Sequence, residues 1–349
     1  MPSWLSDLVI SFPYYDTDLA PFYSRFWATF AHFDGIHYLR LASHGYADWG
    51  SQAFFPLYPL LIHLLSPFTP SPLAAGLLIS WLSLLIAGLG LRRLFPRRPR
   101  LFWLVLAFPT AFFFLTAYTE SLFFALTIWF FVFLSRQKWW LAALLAGLAS
   151  ATRLVGAFLA ISLFIELLHQ PPRPSEARTS EGGLSIVHRS LLILLSLSGL
   201  LAYMFFLYQT TGDPLLFFHV QPVFGGGRSG GELILLPQVL YRYAKMILTT
   251  NWQTFLFWRV LLELSTFTWA VSVLIDKFKK FPLAVSTYLS LSLLLPTLTG
   301  TLSSLPRYIL VLAPWLIPQT RQGIWLYLAI SLPLALLLLF EYSRGIFIS

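Results

Sequence analysis

The sequence predicts an all-α, multi-pass transmembrane helical protein, and three observations carry that prediction. Apolar residues make up 57% of the 349 and mean hydropathy is +0.73. Charged residues make up only 11%, against roughly 25% in a soluble domain. Basic residues cluster in short segments between long apolar runs. A single soluble core could not hide so much apolar surface, whereas a bilayer accepts it. A soluble globule, a disordered chain, collagen and a nucleic-acid-binding protein are thereby excluded. The net charge of +9, from 23 Lys and Arg against 14 Asp and Glu, then matters through its placement. Cysteine is absent, which removes disulfides, thiolate nucleophiles and zinc–thiolate sites.

The elements follow in order. Met1 to Phe12 is one short apolar stretch holding Asp7, without a basic start or a small-residue cleavage site. It reads as neither a signal peptide nor a full span, so a first helix is expected to be missing, or short and broken, beginning near Trp4. Residues 1–52 form an N-terminal segment and an outer loop, the candidate catalytic loop, in which AHFDGIHYLRLASHGY predicts an amphipathic surface helix ending near Gly45. Residues 53–349 form the transmembrane domain. FFPLYPLLIHLL is too short and Pro-rich to span and lies at the interface or re-enters. Pro72 to Leu91 is one span.

Five basic segments mark the cytoplasmic side by the positive-inside rule: Arg92 to Arg100, Arg136 to Lys138, Arg173 to Arg189, Lys277 to Lys280, and Arg321. Apolar stretches between them must cross an even number of times. This parity places outer tips at Thr116 to Ser121, at Ala151 to Arg153, in the Gly-rich loop within 210–250, and at Leu302 to Arg307. The last span is Ile324 to Phe340, giving about ten spans. Residues 170–189 are a cytoplasmic linker, Pro- and Ser-rich at its start.

This topology gathers the unusual polar residues on one face. They are Asp34, His37, His44 and Gln52; Tyr118, Thr119 and Glu120; Thr152 and Arg153; Asp213, His219 and Gln221; Arg307 and Tyr308. An ionisable group among apolar residues costs about 2.5–3.5 kcal/mol at mid-bilayer, so such groups mark sites unless they snorkel to the interface. Asp34 and His37 share a helix face. Asp34 can serve as a general base on an attacking hydroxyl, with His37 orienting it or touching phosphate. The competing reading makes Asp34 an N-cap. Glu120 is either an outer helix cap or a second catalytic carboxylate, and a structural or substrate-orienting role is the preferred reading. Arg153 and Arg307 offer planar donors for phosphate at headgroup depth, or pair with Glu120 or Asp213. Asp213, in the TGDP turn, reads as a cap. Asp34, His37 and His44 support a divalent metal only weakly, because the two His are too far apart on a straight helix to chelate one ion. No metal ligand and no cofactor is assigned.

Five segments together resemble the PIG-V mannosyltransferases, members of the GT-C class of polytopic glycosyltransferases. They are FDGIHYLRLASHGY with QAFFPLYPLL, FPTAFFFLTAYTESLF, AGLASATRLVG, TGDPLLFFHVQ and LSSLPRYILVLAPW. The resemblance implies a GT-C-like fold and inverting transfer of mannose from a polyprenyl or dolichyl phosphate. The acceptor would be a lipid-linked or exported glycan hydroxyl on the outer or lumenal face. It implies Asp34 as catalytic base. His37, His44, Gln52, Tyr118, Glu120, Arg153, His219, Arg307 and Tyr308 are the candidate substrate-binding residues. The expected partners are the sugar donor, the acceptor and membrane lipids, with no nucleic acid. The expected location is a bacterial plasma membrane or a eukaryotic endoplasmic reticulum. Two departures stand out: Phe33 occupies the place before Asp34 where the family commonly has Trp, and no complete helix precedes the loop. The alternatives are a transporter or lipid flippase, which would place ionisable groups near the midplane, and a non-catalytic membrane scaffold.

Overall fold

The computed structural model describes residues 12–169, 186–225 and 228–348. The stretch from Trp4 and most of the 170–189 linker lie outside the described residues. Those described form helices and turns, with no strand among them.

The first loop carries α1, Asp34–His44, and the interfacial piece is α2, Leu57–Leu65. Next come α3, Pro72–Leu94; α4, Glu120–Ser135; α5, Trp139–Ser150; and α6, Ala157–Leu168. They are followed by α7, Ile186–Thr211; α8, Leu236–Thr249; α9, Phe255–Lys277; α10, Leu283–Thr297; α11, Leu305–Leu310; and α12, Arg321–Ser343. Among the described residues, four helices are long and apolar enough to cross a membrane: Pro72–Leu94, Ile186–Thr211, Phe255–Lys280 and Arg321–Ser343. Leu194, Leu201 and Phe205 on α7 and Leu332, Leu336 and Phe340 on α12 are exposed. Such faces need lipid rather than water. The chain is an integral membrane protein on this length and composition.

Five further apolar helices are shorter, at 10–17 residues. A helix of 16 residues is about 24 Å long, short of the roughly 30 Å hydrocarbon layer. The physical reason is burial in protein. Helix α4 packs between α3 and α5, and α6 packs on α10, so non-helical backbone can cap their ends where it is enclosed or lines a cavity. The stretch from Leu101 to Ser135 shows this departure from two simple spans. A six-residue helix, Leu101–Leu106, breaks at Pro109 into the 3-10 turn Ala111–Leu115, and only the second half, α4, is a full helix. Likewise the 210–250 loop contains α8.

Local signals account for the boundaries. Ser71 caps α3 by accepting from the Ala74 N–H at 3.2 Å, Pro72 takes a first-turn place where its missing donor is harmless, and Arg92 and Arg93 close the last turn. Helices α5 and α7 meet through small residues. A Cβ added to Gly199 would stand 2.2 Å from the Gly147 carbonyl oxygen, an approach only glycine allows.

The two ends of the bundle differ in charge. Arg98 donates to the carbonyls of Pro314, Ile317 and Pro318 at 3.0–3.2 Å, and Lys277 donates to those of Trp315 and Leu316 at 3.1 and 3.3 Å. Helix α4 runs from Glu120 at the opposite end to Ser135 beside Arg136. Glu120 and the basic loop at Arg136 therefore occupy opposite ends.

Candidate functional site

At the end away from the basic loops lies a cavity of about 670 Å³, lined by Asp34, His37, Arg153, Arg228, Arg259, Arg307 and Tyr308, with Phe54, Phe217 and Phe224 among its aromatic walls. This is the size range of small-molecule sites.

The loop carrying Asp34 is fastened to the bundle by backbone and side-chain bonds. The Ala117 N–H donates to the Phe30 carbonyl at 2.8 Å, and the Tyr118 hydroxyl donates to the His32 carbonyl at 2.8 Å. His32 is fully buried, and burial pulls its imidazole down to about 4, so it is neutral at physiological pH. Phe33 then adopts φ 52°, a left-handed backbone that costs a bulky residue on the order of 1–3 kcal/mol. Asp34 follows as the first residue of α1, one place inside the Phe33 cap. Its carboxylate sits where helix N–H groups and the helix dipole favour a negative charge.

Arg307 arrives from the far end of the sequence in the same manner. Ser304, at φ 67°, caps the short α11. Arg307 Nη1 donates to Asp34 Oδ2 at 2.6 Å, and its Nε stands 3.1 Å from Glu120 Oε1. Arg153 Nη1 donates to the same Glu120 oxygen at 2.9 Å. Glu120 is 1% exposed and Arg307 6%, while Asp34 is 20% exposed. Glu120 is the first residue of α4, after the Thr119 cap. It is thus the buried counterion that fixes two guanidinium groups, and Asp34 is the carboxylate of this network that lines the cavity.

Burial alone would raise the Asp34 carboxyl, but the charge and hydrogen bond of Arg307 outweigh it and hold the group below its ordinary value. Burial likewise lowers His37, against the opposing pull of Asp34. The His37 ring stacks on Phe54 at 4.9 Å between centroids.

Of the sequence-predicted residues, Asp34, His37, Arg153, Arg307 and Tyr308 line the cavity. Tyr118 and Glu120 lie behind its wall as supports. Three others do not line it. His44 is exposed at the last turn of α1. Gln52 builds its own turn, its Oε1 accepting from the Gly50 N–H at 3.0 Å and its carbonyl accepting from Tyr203. His219 Nδ1 is 2.6 Å from Asp213 Oδ2, while Asp213 Oδ1 accepts from the Leu215 N–H at 2.9 Å. Asp213 thus closes a local turn rather than capping the helix Leu216–His219, whose cap position is Leu215 with no side-chain bond. Among the described residues no group of three His, Cys, Asp or Glu could hold a metal ion.

Two arginines were not singled out from sequence. Arg228 makes long hydrogen bonds of 3.4 Å to Gln221 and Ser304. Arg259 donates to Glu263 Oε1 at 3.0 Å and to Ser303 at 2.8 Å. An arginine with a glutamate four residues later inside an apolar helix is itself a signal, because charges in a span are rare without a role. Four guanidinium groups line the cavity beside two carboxylates, Asp34 and Asp48. Asp48 is taken by Arg40, as Arg259 is by Glu263 and Arg153 and Arg307 are by Glu120, while Arg228 bonds to neutral partners.

No family model, curated protein or solved structure matches the chain. The geometry of the cavity therefore carries the functional reading.

Proposed function

We propose that the chain is an inverting, membrane-embedded glycosyltransferase. It transfers mannose from a polyprenyl or dolichyl phosphate to a hydroxyl of a lipid-linked or exported glycan, as the PIG-V resemblance implies. The reading takes the long and short apolar helices together as about ten passes in a GT-C-like bundle. The basic end faces the cytoplasm, and the cavity opens on the plasma-membrane exterior or the lumen of the endoplasmic reticulum.

The observation that carries the reading is a cavity-facing carboxylate, Asp34, set among Arg153, Arg228, Arg259 and Arg307. Inversion is a single displacement. The acceptor oxygen bonds to the anomeric carbon as the bond from that carbon to the phosphate oxygen breaks. The phosphate leaves with the electron pair, and the acceptor proton passes to Asp34. Arg307 and Arg153, held by Glu120, are the preorganised positive charges for the leaving phosphate. Donor phosphate competes with Asp34 for Arg307, so donor binding frees the base from its ion pair.

Beneath the cavity Phe113, Phe114, Phe123, Phe124 and Phe130 are buried and packed. This filled core favours surface chemistry over passage of a substrate through the bundle. The test is incubation of purified protein with mannose-bearing and other polyprenyl phosphates and a panel of glycan acceptors, with products identified by mass spectrometry. A glycosylated acceptor together with released polyprenyl phosphate is the expected result. Donor consumption without an extended acceptor would contradict it.

A further inference from the structure

Residues 298–304, the turn between α10 and α11, are held along their length from the segment 229–263. The Ile234 N–H donates to the Leu298 carbonyl at 3.0 Å and the Ser229 N–H to that of Thr299 at 2.9 Å. Arg242 Nη1, on α8, donates to the Gly300 carbonyl at 3.0 Å. Gly300 takes φ 89°, a backbone that glycine adopts without steric cost.

The next residues of the turn are gripped by two side chains that a single carboxylate orients. Glu263, 2% exposed within α9, accepts from the Tyr243 hydroxyl of α8 on Oε2 and from Arg259 Nε on Oε1, the latter at 3.0 Å. A carboxylate paired with a guanidinium only accepts, so the Tyr243 proton points at Glu263. The phenol oxygen is left as an acceptor, and it takes the Leu302 N–H at 2.9 Å and the Thr301 hydroxyl at 3.1 Å. Thr301 Oγ1 in turn accepts from the Ser303 N–H at 3.1 Å. Arg259 Nη2 donates to the Ser303 hydroxyl at 2.8 Å. Glu263 thus sets the direction of both groups that hold residues 301–303.

Ser304 follows at φ 67°, and its carbonyl accepts from the Arg307 and Tyr308 N–H groups at 3.1 and 3.0 Å. The first turn of α11 therefore starts directly from the gripped residues, and from it Arg307 reaches Asp34 at 2.6 Å. A displacement of about 1 Å is enough to disable a positioned group. Hydrophobic packing would hold α8 and α9 together as well as a buried ion pair does; what Arg259 and Glu263 add is direction.

We infer that Glu263 is a positioning residue for the Asp34–Arg307 pair: through Tyr243 and Arg259 it fixes residues 301–303, and with them the start of α11. Its effect on turnover rests on the proposed transfer, whereas its effect on the pair does not.

The experiment labels the full chain in phosphatidylcholine nanodiscs with dicyclohexylcarbodiimide, which attacks protonated carboxyl groups, across a range of pH. Labelled peptides are mapped by mass spectrometry. Arg307 from α11, His37 on the same helix and Arg228 face Asp34 and favour its charged form over the opposing effect of burial. Loss of the Arg307 contact raises the carboxyl. The expected result for Glu263→Gln is a labelling midpoint at Asp34 about one pH unit higher, or roughly tenfold more label on the high-pH side. Tyr243→Phe removes the grip on Thr301 and Leu302, keeps Glu263 with Arg259, and shifts the midpoint in the same direction. Tyr327→Phe loses a buried bond between α12 and the Leu104 carbonyl and leaves the midpoint in place. An unmoved midpoint in folded Glu263→Gln, no label at Asp34 in any of the proteins, or an equal shift in Tyr327→Phe overturns the inference. Where Glu263→Gln folds poorly, Tyr243→Phe decides by the same criteria. Transfer is read separately. In a parent that transfers mannose, Glu263→Gln is expected to lower kcat at least about tenfold with the acceptor KM unchanged. A parent without transfer removes the transferase reading and leaves the labelling result standing.

Discussion

The Asp34 carboxylate and the Arg307 guanidinium meet at 2.6 Å although 273 positions separate them in the chain. In that pairing Arg307 overrides burial and keeps the carboxyl below its ordinary value. Substrate that draws Arg307 onto phosphate removes the lowering influence and leaves burial to raise the group. The acid limb of kcat/KM, which reports the free enzyme, is therefore expected at lower pH than the acid limb of kcat, which reports the complex. Full pH profiles check this. Coincident limbs would show that donor leaves the pair intact. The same pair stabilises the fold above the unfolded carboxyl value, and that contribution fades as pH falls through the lowered one.

Arg307→Lys keeps a positive charge but loses the planar fork that reaches Asp34 and Glu120 together. The expected outcome is a donor KM raised about tenfold, equivalent to roughly 1.4 kcal/mol, with the acceptor KM unchanged. Steady-state kinetics with each substrate varied in turn provide the check. An equal rise in both constants would place Arg307 in general scaffolding.

Glu120→Gln leaves Arg153 and Arg307 buried without their shared counterion. Removing one partner of a buried ion pair costs about 3–5 kcal/mol, so unfolding in detergent should shift by that amount. A shift under about 1 kcal/mol would mean that the pair is solvated in the folded protein.

Gly199→Val drives a side chain into the Gly147 carbonyl and is expected to abolish folded, monodisperse protein. Gly231→Ala, where nothing lies within 4 Å of the added carbon, serves as the neutral control. Size-exclusion profiles and thermal unfolding distinguish the two. Parent-like behaviour of the valine variant would move the α5–α7 contact elsewhere.

Much of this arrangement was legible in the sequence. Apolar run length and basic loops separated the two ends, and Asp34, Glu120, Arg153 and Arg307 stood out because charge among apolar residues is costly. Their pairing was not legible, since no local pattern joins residues 34 and 307. The left-handed turns at Phe33 and Ser304 carry no glycine to announce them, yet each aims the helix bearing one partner. Arg228 and Arg259 were hidden by a flexible-looking loop and an apolar span. Conversely, His44 and His219 drew attention by residue type alone, and the structure gives them exposed places at a helix end and a turn. Helices too short for a bilayer depend on neighbours that cover their ends, which only the packing reveals.

The most direct measurement is mannose transfer by Asp34→Asn, assayed beside the parent at matched expression and matched thermal stability. The substitution keeps the shape of the side chain and removes the base. Transfer should fall by at least about 100-fold, within the range of general-base catalysis, while binding of polyprenyl phosphate persists. Parent-level transfer by the Asn variant would contradict the assignment of Asp34 and, with it, the account of the cavity.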